Sequence, residues 1–378
     1  MSLMMCRSID AGNAGGMDTR EHIVFKREYT PVLKGIAIIF MFAVHLLKPE
    51  WMTHPEWIID VYVAGMPLAA VLARVGDICI GIFAFITGYG FSGGFHKKSV
   101  TQRLFKGGIY FSYLIVLLLF CFPIRVLESL LVTGNFPAIT VAETVRSLTA
   151  LSSQSVKYCW YVLFFALAVV TYAPCEKLLN RIKLSGYWKV AGVCIAGFGM
   201  RYVGRKLTAL GMPYDALSVW SHYFQWMPVV LTGSIARREN LLENLDELRR
   251  KWFKKLTFAM TGWVIVASIL LAKIILQTVF GIYSNLDSFY ILPFMYGLIL
   301  TAESIVVRMP PIAKILKRLG DFSLYMWLAH CVLLMGSVQE VLYRLRFPIV
   351  ILVAGLAVMY PVGYILAAVD RKLQRKLF

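Results

Sequence analysis

The chain has 378 residues, of which 59% are hydrophobic and only 16% charged, and its formal net charge is +18. A soluble domain carries about 25% charged residues, so this composition excludes a single water-soluble core and points to the bilayer as solvent. The basic balance does not require nucleic acid as a partner, because membrane proteins collect Lys and Arg in cytoplasmic loops for topological reasons.

Residues 1–24 contain Arg7, Arg20, acids and glycines but no apolar run, and are expected to form a flexible cytoplasmic tail, not a signal peptide. Apolar windows long enough to cross about 30 Å of hydrocarbon follow. They predict ten transmembrane helices, at 31–47, 75–92, 108–127, 158–176, 187–203, 217–236, 256–279, 286–303, 321–340 and 347–369. Polar residues interrupt the fifth and sixth. Stretch 57–74 is a further apolar segment, expected to be interfacial or re-entrant. The fold class is all-α integral membrane, with residues 25–370 as one transmembrane domain and 371–378 as a basic cytoplasmic tail. The outer loop near 128–157 is too short to be a catalytic domain.

With both termini in the cytoplasm, the inner segments hold 27 Lys and Arg and the outer ones 10, while Lys34 and Lys273 fall inside helices. This alternation supports the orientation, requires an even number of helices, and explains the basic charge without a polyanionic partner. The seven cysteines form no C-x-x-C pair, and nothing predicts a metal site. Trp51, Trp57, Trp160, Tyr161, Trp188 and Trp252 lie near helix ends and read as an aromatic belt.

Ionisable groups inside a membrane are expensive and need a reason. In the first helix Lys34 and His45 are separated by ten residues, which places both on one face about 16 Å apart along the axis. Lys34 sits near the cytoplasmic boundary, where it can also simply snorkel. His45 lies deeper, and a neutral imidazole there can serve as a general base. His330, in GDFSLYMWLAHCVLL, lies about 15 Å into the ninth helix, a depth it could share with His45; a packing role competes with a functional one. Asp77 is near the outer end of the second helix, and glycines at its inner end permit close approach. Then come Lys97, Lys98, Arg103 and Lys106. Arg103 and Lys106 share a helix face and could hold phosphates, although the same charges serve as topology signals.

These blocks resemble the acyltransferase-3 family of membrane acyltransferases. LKGIAIIFMFAVH is similar to its basic-x10-His first helix, and GIFAFITGYGF to its FFFLSGY segment. RLFK at 103–106 is similar to its paired-basic R-x-x-R, WYVLFFAL to its WFLPALL helix, and LGDFSLYMWLAH to its LGxxSYxxYLxH block. FQWMPVVLTG at 224–233 is similar to an FxPFFLLG stretch. The blocks keep family order and span 26–369. Two positions depart: Lys34 is the basic residue of the first motif, and Lys106 replaces the second Arg, keeping the charge but losing the bidentate fork. The chain is expected to be of the stand-alone type, without an extracytoplasmic hydrolase-like domain.

The resemblance implies a transmembrane O-acyltransferase of the plasma membrane. Its donor would be a cytoplasmic acyl-CoA, with acetyl-CoA the leading choice, and its acceptor a hydroxyl on a cell-surface glycan or lipid-linked sugar. The donor phosphates would meet Arg103, Lys106, Lys97 and Lys98, and the thioester arm would run past Lys34 to His45. His45 would deprotonate the acceptor or briefly carry the acyl group, with His330 orienting it or the acceptor. No metal and no nucleic acid are implied. The rival is a transporter of a small polar solute, which also uses buried Lys, His and Asp; against it, the sequence shows no inverted repeat of broken helices. A scaffold without chemistry would have no need of His45.

Overall fold

A computed structural model of the chain describes residues 25–59, 61–63, 65–94, 99–105, 108–151, 159–252, 257–279, 286–334 and 337–377. The expected tail over 1–24, and Lys97, Lys98 and Lys106, lie outside the described residues. The protein is an all-α membrane fold. Helix α1 (Tyr29–Leu47) leads into two short turns at Pro49–Trp51 and Pro55–Trp57, then a hairpin of β1 (Tyr62–Val63) and β2 (Met66–Pro67). Helices α2 (Leu68–Gly76) and α3 (Cys79–Phe91) follow with a break at Asp77 and Ile78. The stretch expected as interfacial therefore supplies the hairpin and the first part of the second span.

After α4 (Val100–Leu104), helix α5 (Ile109–Val116) passes through a π-helical turn at Leu117–Cys121 into α6 (Phe122–Thr133). Helix α7 (Val141–Leu148) lies in the long connection after α6, with Tyr110 and Tyr113 of α5 donating to its Leu148 and Ser147 carbonyls. The remaining helices are α8 (Trp160–Arg181), α9 (Gly186–Ala209), α10 (Tyr214–Arg238), α11 (Leu241–Trp252), α12 (Phe258–Val279), α13 (Asp287–Arg308), α14 (Pro310–Leu333), α15 (Ser337–Tyr343) and α16 (Pro348–Leu377). The expected basic tail from 371 continues α16 as helix to Leu377.

Each of the ten sequence-predicted segments falls largely on helix where its residues are described, and seven spans among the described residues are long and apolar enough to cross a membrane. The other long helices are α9 and α10, which polar residues interrupt, and α14. The last begins at Pro310 instead of 321, because Lys314, Lys317 and Arg318 keep helical spacing and extend it beyond the apolar part. Among the spans, α13 is the most enclosed and α5–α6 the least.

Membrane helices gain no hydrophobic force from meeting each other, so they rely on small residues that let backbones touch. Two reciprocal glycine crossings show this. A Cβ on Gly35 of α1 would lie 2.1 Å from the Leu316 carbonyl of α14, and one on Gly320 would lie 1.8 Å from the Pro31 carbonyl. Likewise a Cβ on Gly88 of α3 would lie 1.7 Å from the Val230 carbonyl of α10, and one on Gly233 would lie 2.2 Å from that of Phe85. These crossings fix α1 against α14 and α3 against α10. Gly320→Leu should therefore cost more than the about 1–3 kcal/mol of ordinary overpacking, because the obstacle is backbone. The yield of monodisperse protein on size exclusion in detergent should collapse; a wild-type yield would disprove the crossing.

At the end where α1 begins and α10 finishes, buried Asp246 of α11 accepts from Arg249 Nε (2.9 Å), Arg250 Nε (2.8 Å) and the Tyr296 hydroxyl (3.0 Å). Burial pushes its carboxyl up, but these donors outweigh burial and hold it below the usual carboxylate range. The stabilisation is present above the ordinary Asp pKa and is lost as pH falls through the lowered one.

Candidate active site

Helices α1, α3, α8, α10 and α14 enclose a cavity of about 1670 Å³. Its wall follows α1 from Thr30 through Lys34 to His45, so it is about 22 Å long at 1.5 Å per residue. One end is basic, lined by Lys26, Arg27 and Arg237 with Glu28, Glu243 and Asp321 among them. The other end is lined by Trp51, Asp77, Ala150, Leu151 and Asp215. There, the Arg146–Asp215 ion pair (2.8 Å) ties α7 to the start of α10 beside the mouth.

His45 is half-buried on this wall. Its ring lies between two others: Trp51 stacks on it at 4.9 Å, and His330 meets it edge-on at 4.5 Å. The last carbonyls of a helix have no partner within it. That of Leu46 accepts from the Tyr343 hydroxyl (2.9 Å), which Gln339 Nε2 contacts at 2.8 Å while also donating to the Trp51 carbonyl (3.2 Å). Helix α15 thus holds both the end of α1 and the tryptophan that backs His45.

His330 is fully buried and does not line the cavity. Its Nδ1 faces the Trp327 carbonyl one turn earlier. A carbonyl only accepts, so a hydrogen bond here requires the proton on Nδ1. The depth shared by His45 and His330 in sequence is contact in the structure, with His330 as the ring behind His45.

Lys34 is half-buried on the cavity wall, between the basic end and His45. Arg103 stands elsewhere: it is 7% exposed, is absent from the cavity wall, and reaches the Val169 carbonyl of α8 through Nη1 at 3.4 Å.

The sequence reading does not single out Trp327, His222 or Arg237, and all three line the cavity. His222 lies flat on Trp160 at 3.9 Å with Ser218 Oγ 3.3 Å from its Nδ1, and Tyr161 meets Trp327 edge-on at 5.6 Å. Trp51, Trp160 and Tyr161, expected as belt anchors, are cavity walls. A sequence signal was available for Trp327, three residues before His330 on one helix face.

Asp77 belongs to a buried ionic group. Lys273 Nζ lies 2.9 Å from Asp287 Oδ1 and 3.5 Å from Asp77 Oδ2, and the Tyr290 hydroxyl donates to Asp287. Among the described residues, no cluster of His, Cys, Asp and Glu is suited to a metal ion.

This arrangement offers a long, partly open path with cations at one end, an imidazole seated in aromatic walls towards the other, and a carboxylate beyond. Such a path can hold an extended, anionic-headed donor and bring its far end to a base. In comparison with known proteins, the sequence profile of an acyltransferase domain matches residues 29–368. No curated protein and no solved structure matches the chain.

Proposed function

The chain belongs to the acyltransferase-3 family and is a multi-pass membrane acyltransferase; from that premise we propose that it moves an acyl group, acetyl first, from cytoplasmic acyl-CoA to a hydroxyl of a cell-surface glycan or lipid-linked sugar. The observation that carries this reading is the single cavity that joins the basic end to His45 with Lys34 between them.

In this reading the donor lies along the cavity with its phosphates at the basic end and its thioester beside His45. The acceptor hydroxyl arrives from the opposite mouth. His45 takes the hydroxyl proton, the oxygen attacks the thioester carbonyl, the C–S bond breaks, and the proton passes to the departing thiolate to give free CoA and the ester. His330 holds the His45 ring in place. Arg103, behind the wall, braces α4 against α8. The aromatic rings around Trp160 and Trp327 give a sugar flat apolar faces, and Asp77 accepts from its hydroxyls.

Purified protein in lipid nanodiscs, given labelled acetyl-CoA with candidate glycans, should release CoA and label the glycan. Release of CoA with no acyl acceptor labelled, or no release with any acyl-CoA, would overturn the reading. The transporter reading draws on the same end-to-end cavity and on Asp77, and predicts uptake of a polar solute into proteoliposomes without CoA.

The same proposal has ten crossings of the plasma membrane and both termini in the cytoplasm, from the 27 to 10 division of Lys and Arg. In a cysteine-free background, cysteines placed at Lys98 and at Glu247 should be shielded from impermeant thiol reagents in intact cells and react after permeabilisation. Labelling of either from outside reverses the orientation.

A further inference from the structure

The basic end of the cavity is lined by three cations, Lys26, Arg27 and Arg237, with Lys34 next along the wall, and they are interleaved with Glu28, Glu243 and Asp321. Charge alone does not pick out an anion site among them, and the case for Arg237 rests on how its guanidinium is held. Arg237 Nη1 donates to the Tyr89 carbonyl at 3.2 Å, and its guanidinium carbon lies 5.3 Å from the centre of the Tyr89 ring. Phe25 packs on that same ring at 4.7 Å. The seat also needs Gly93, where a Cβ would fall 2.2 Å from Nη1 and 2.8 Å from Cζ.

The Tyr89 carbonyl and ring are neutral and hold the guanidinium in place, while Glu243 lies on the same cavity wall and acts electrostatically on the same tyrosine. A guanidinium has five N–H donors in a rigid fork, which matches a phosphate in two bonds at once. Gly90 and Gly93 leave the approach to it open, since both line the cavity and neither carries a side chain.

We propose that Arg237, seated by Tyr89 and Gly93, is the residue that anchors a phosphate of the donor at the basic end of the cavity. This rests on the reading of an acyl-CoA donor. Arg237 fixes one end of the donor while the cavity leads the other to His45, so it sets how far the thioester reaches.

The test is CoA binding by isothermal titration to the full chain in uncharged detergent, which removes anionic lipid headgroups as competitors. Arg237→Gln should weaken CoA by about 10–100-fold, the loss of a charge-assisted contact. Arg237→Lys, which keeps charge but not the fork, should fall between, and Arg181→Gln on the exposed end of α8 should match wild type. Gly93→Ala should weaken CoA as well, because it unseats the guanidinium with every charge retained. A folded Arg237→Gln protein that binds CoA within about twofold of wild type overturns the proposal. If that variant does not fold, Gly93→Ala decides, and an unchanged affinity there overturns it equally. If wild type binds no CoA, the donor reading fails by itself, and inorganic pyrophosphate becomes the probe. Pyrophosphate binding that Arg237→Gln abolishes upholds the anchor, and no difference between the two proteins overturns it.

Discussion

Replacing His45 with alanine should lower acyl transfer by about 10²–10⁴-fold, the usual contribution of a general base, while leaving expression and CoA binding intact. The geometry separates these effects. His45 stands on the cavity wall far from the basic end, so under the proposed mechanism its loss would remove the base and leave the anchor. Its neighbours Trp51 and His330 remain held by α15 and by the Trp327 carbonyl. His330→Ala should cost less, since His330 does not reach the cavity and acts only through the ring in front of it. The measurement is CoA release in single turnover by purified protein. Near wild-type transfer by His45→Ala rules out the mechanism, and a larger loss for His330→Ala than for His45→Ala reverses their roles.

Lys273→Met should destabilise the protein by about 3–5 kcal/mol, as removal of one partner from a buried ion pair does. Lys273 is 4% exposed and bridges Asp287, which is 1% exposed, to Asp77 on the cavity wall. Without the ammonium, Asp287 keeps the Tyr290 hydroxyl as its hydrogen-bond donor among the described residues, and its charge is left in a low-dielectric setting. Asp77 is less affected because it faces the cavity. The double variant Lys273→Met with Asp287→Leu should recover much of the loss, because it removes the stranded charge with its partner. Unfolding midpoints in detergent report both. A single variant as stable as wild type, or a double variant no better than the single, would show that the group carries no such coupling.

Hydropathy makes most of this architecture legible, because crossing a bilayer demands long apolar helices whatever their partners. It places its ten expected segments largely on helix but misses the helix ends. The lysines of α14 sit on a helix that runs on past the apolar part, and the break at Asp77 and Ile78 comes where α2 meets α3. The site was partly legible for a different reason. Placing Lys34 and His45 on one face needs only helix periodicity, and the structure sets both on one cavity wall. The contact between His45 and His330 depends on how α1 crosses α14, which the Gly35 and Gly320 pair fixes and a depth count does not. Trp51 and Trp160 were misread because a tryptophan at a helix end has the same sequence signature whether it faces lipid or a cavity. Arg237 is hidden among the seven basic residues of its loop, since its distinction lies in the seat provided by Tyr89 of α3 and Gly93 of the turn after it.

The length of the cavity along α1 also has an electrical meaning. A unit charge carried across an energised membrane gains or loses about 2.3 kcal/mol for every 100 mV. Under the proposed function, an acyl-CoA held at the basic end would keep its phosphates near one face, outside most of that voltage drop, while its uncharged pantetheine arm would occupy the field. What passes to the far side is then an electrically silent acyl group. If the proposed function holds, transfer through this path should not depend on membrane potential, and rates measured in proteoliposomes with and without an imposed potential should agree.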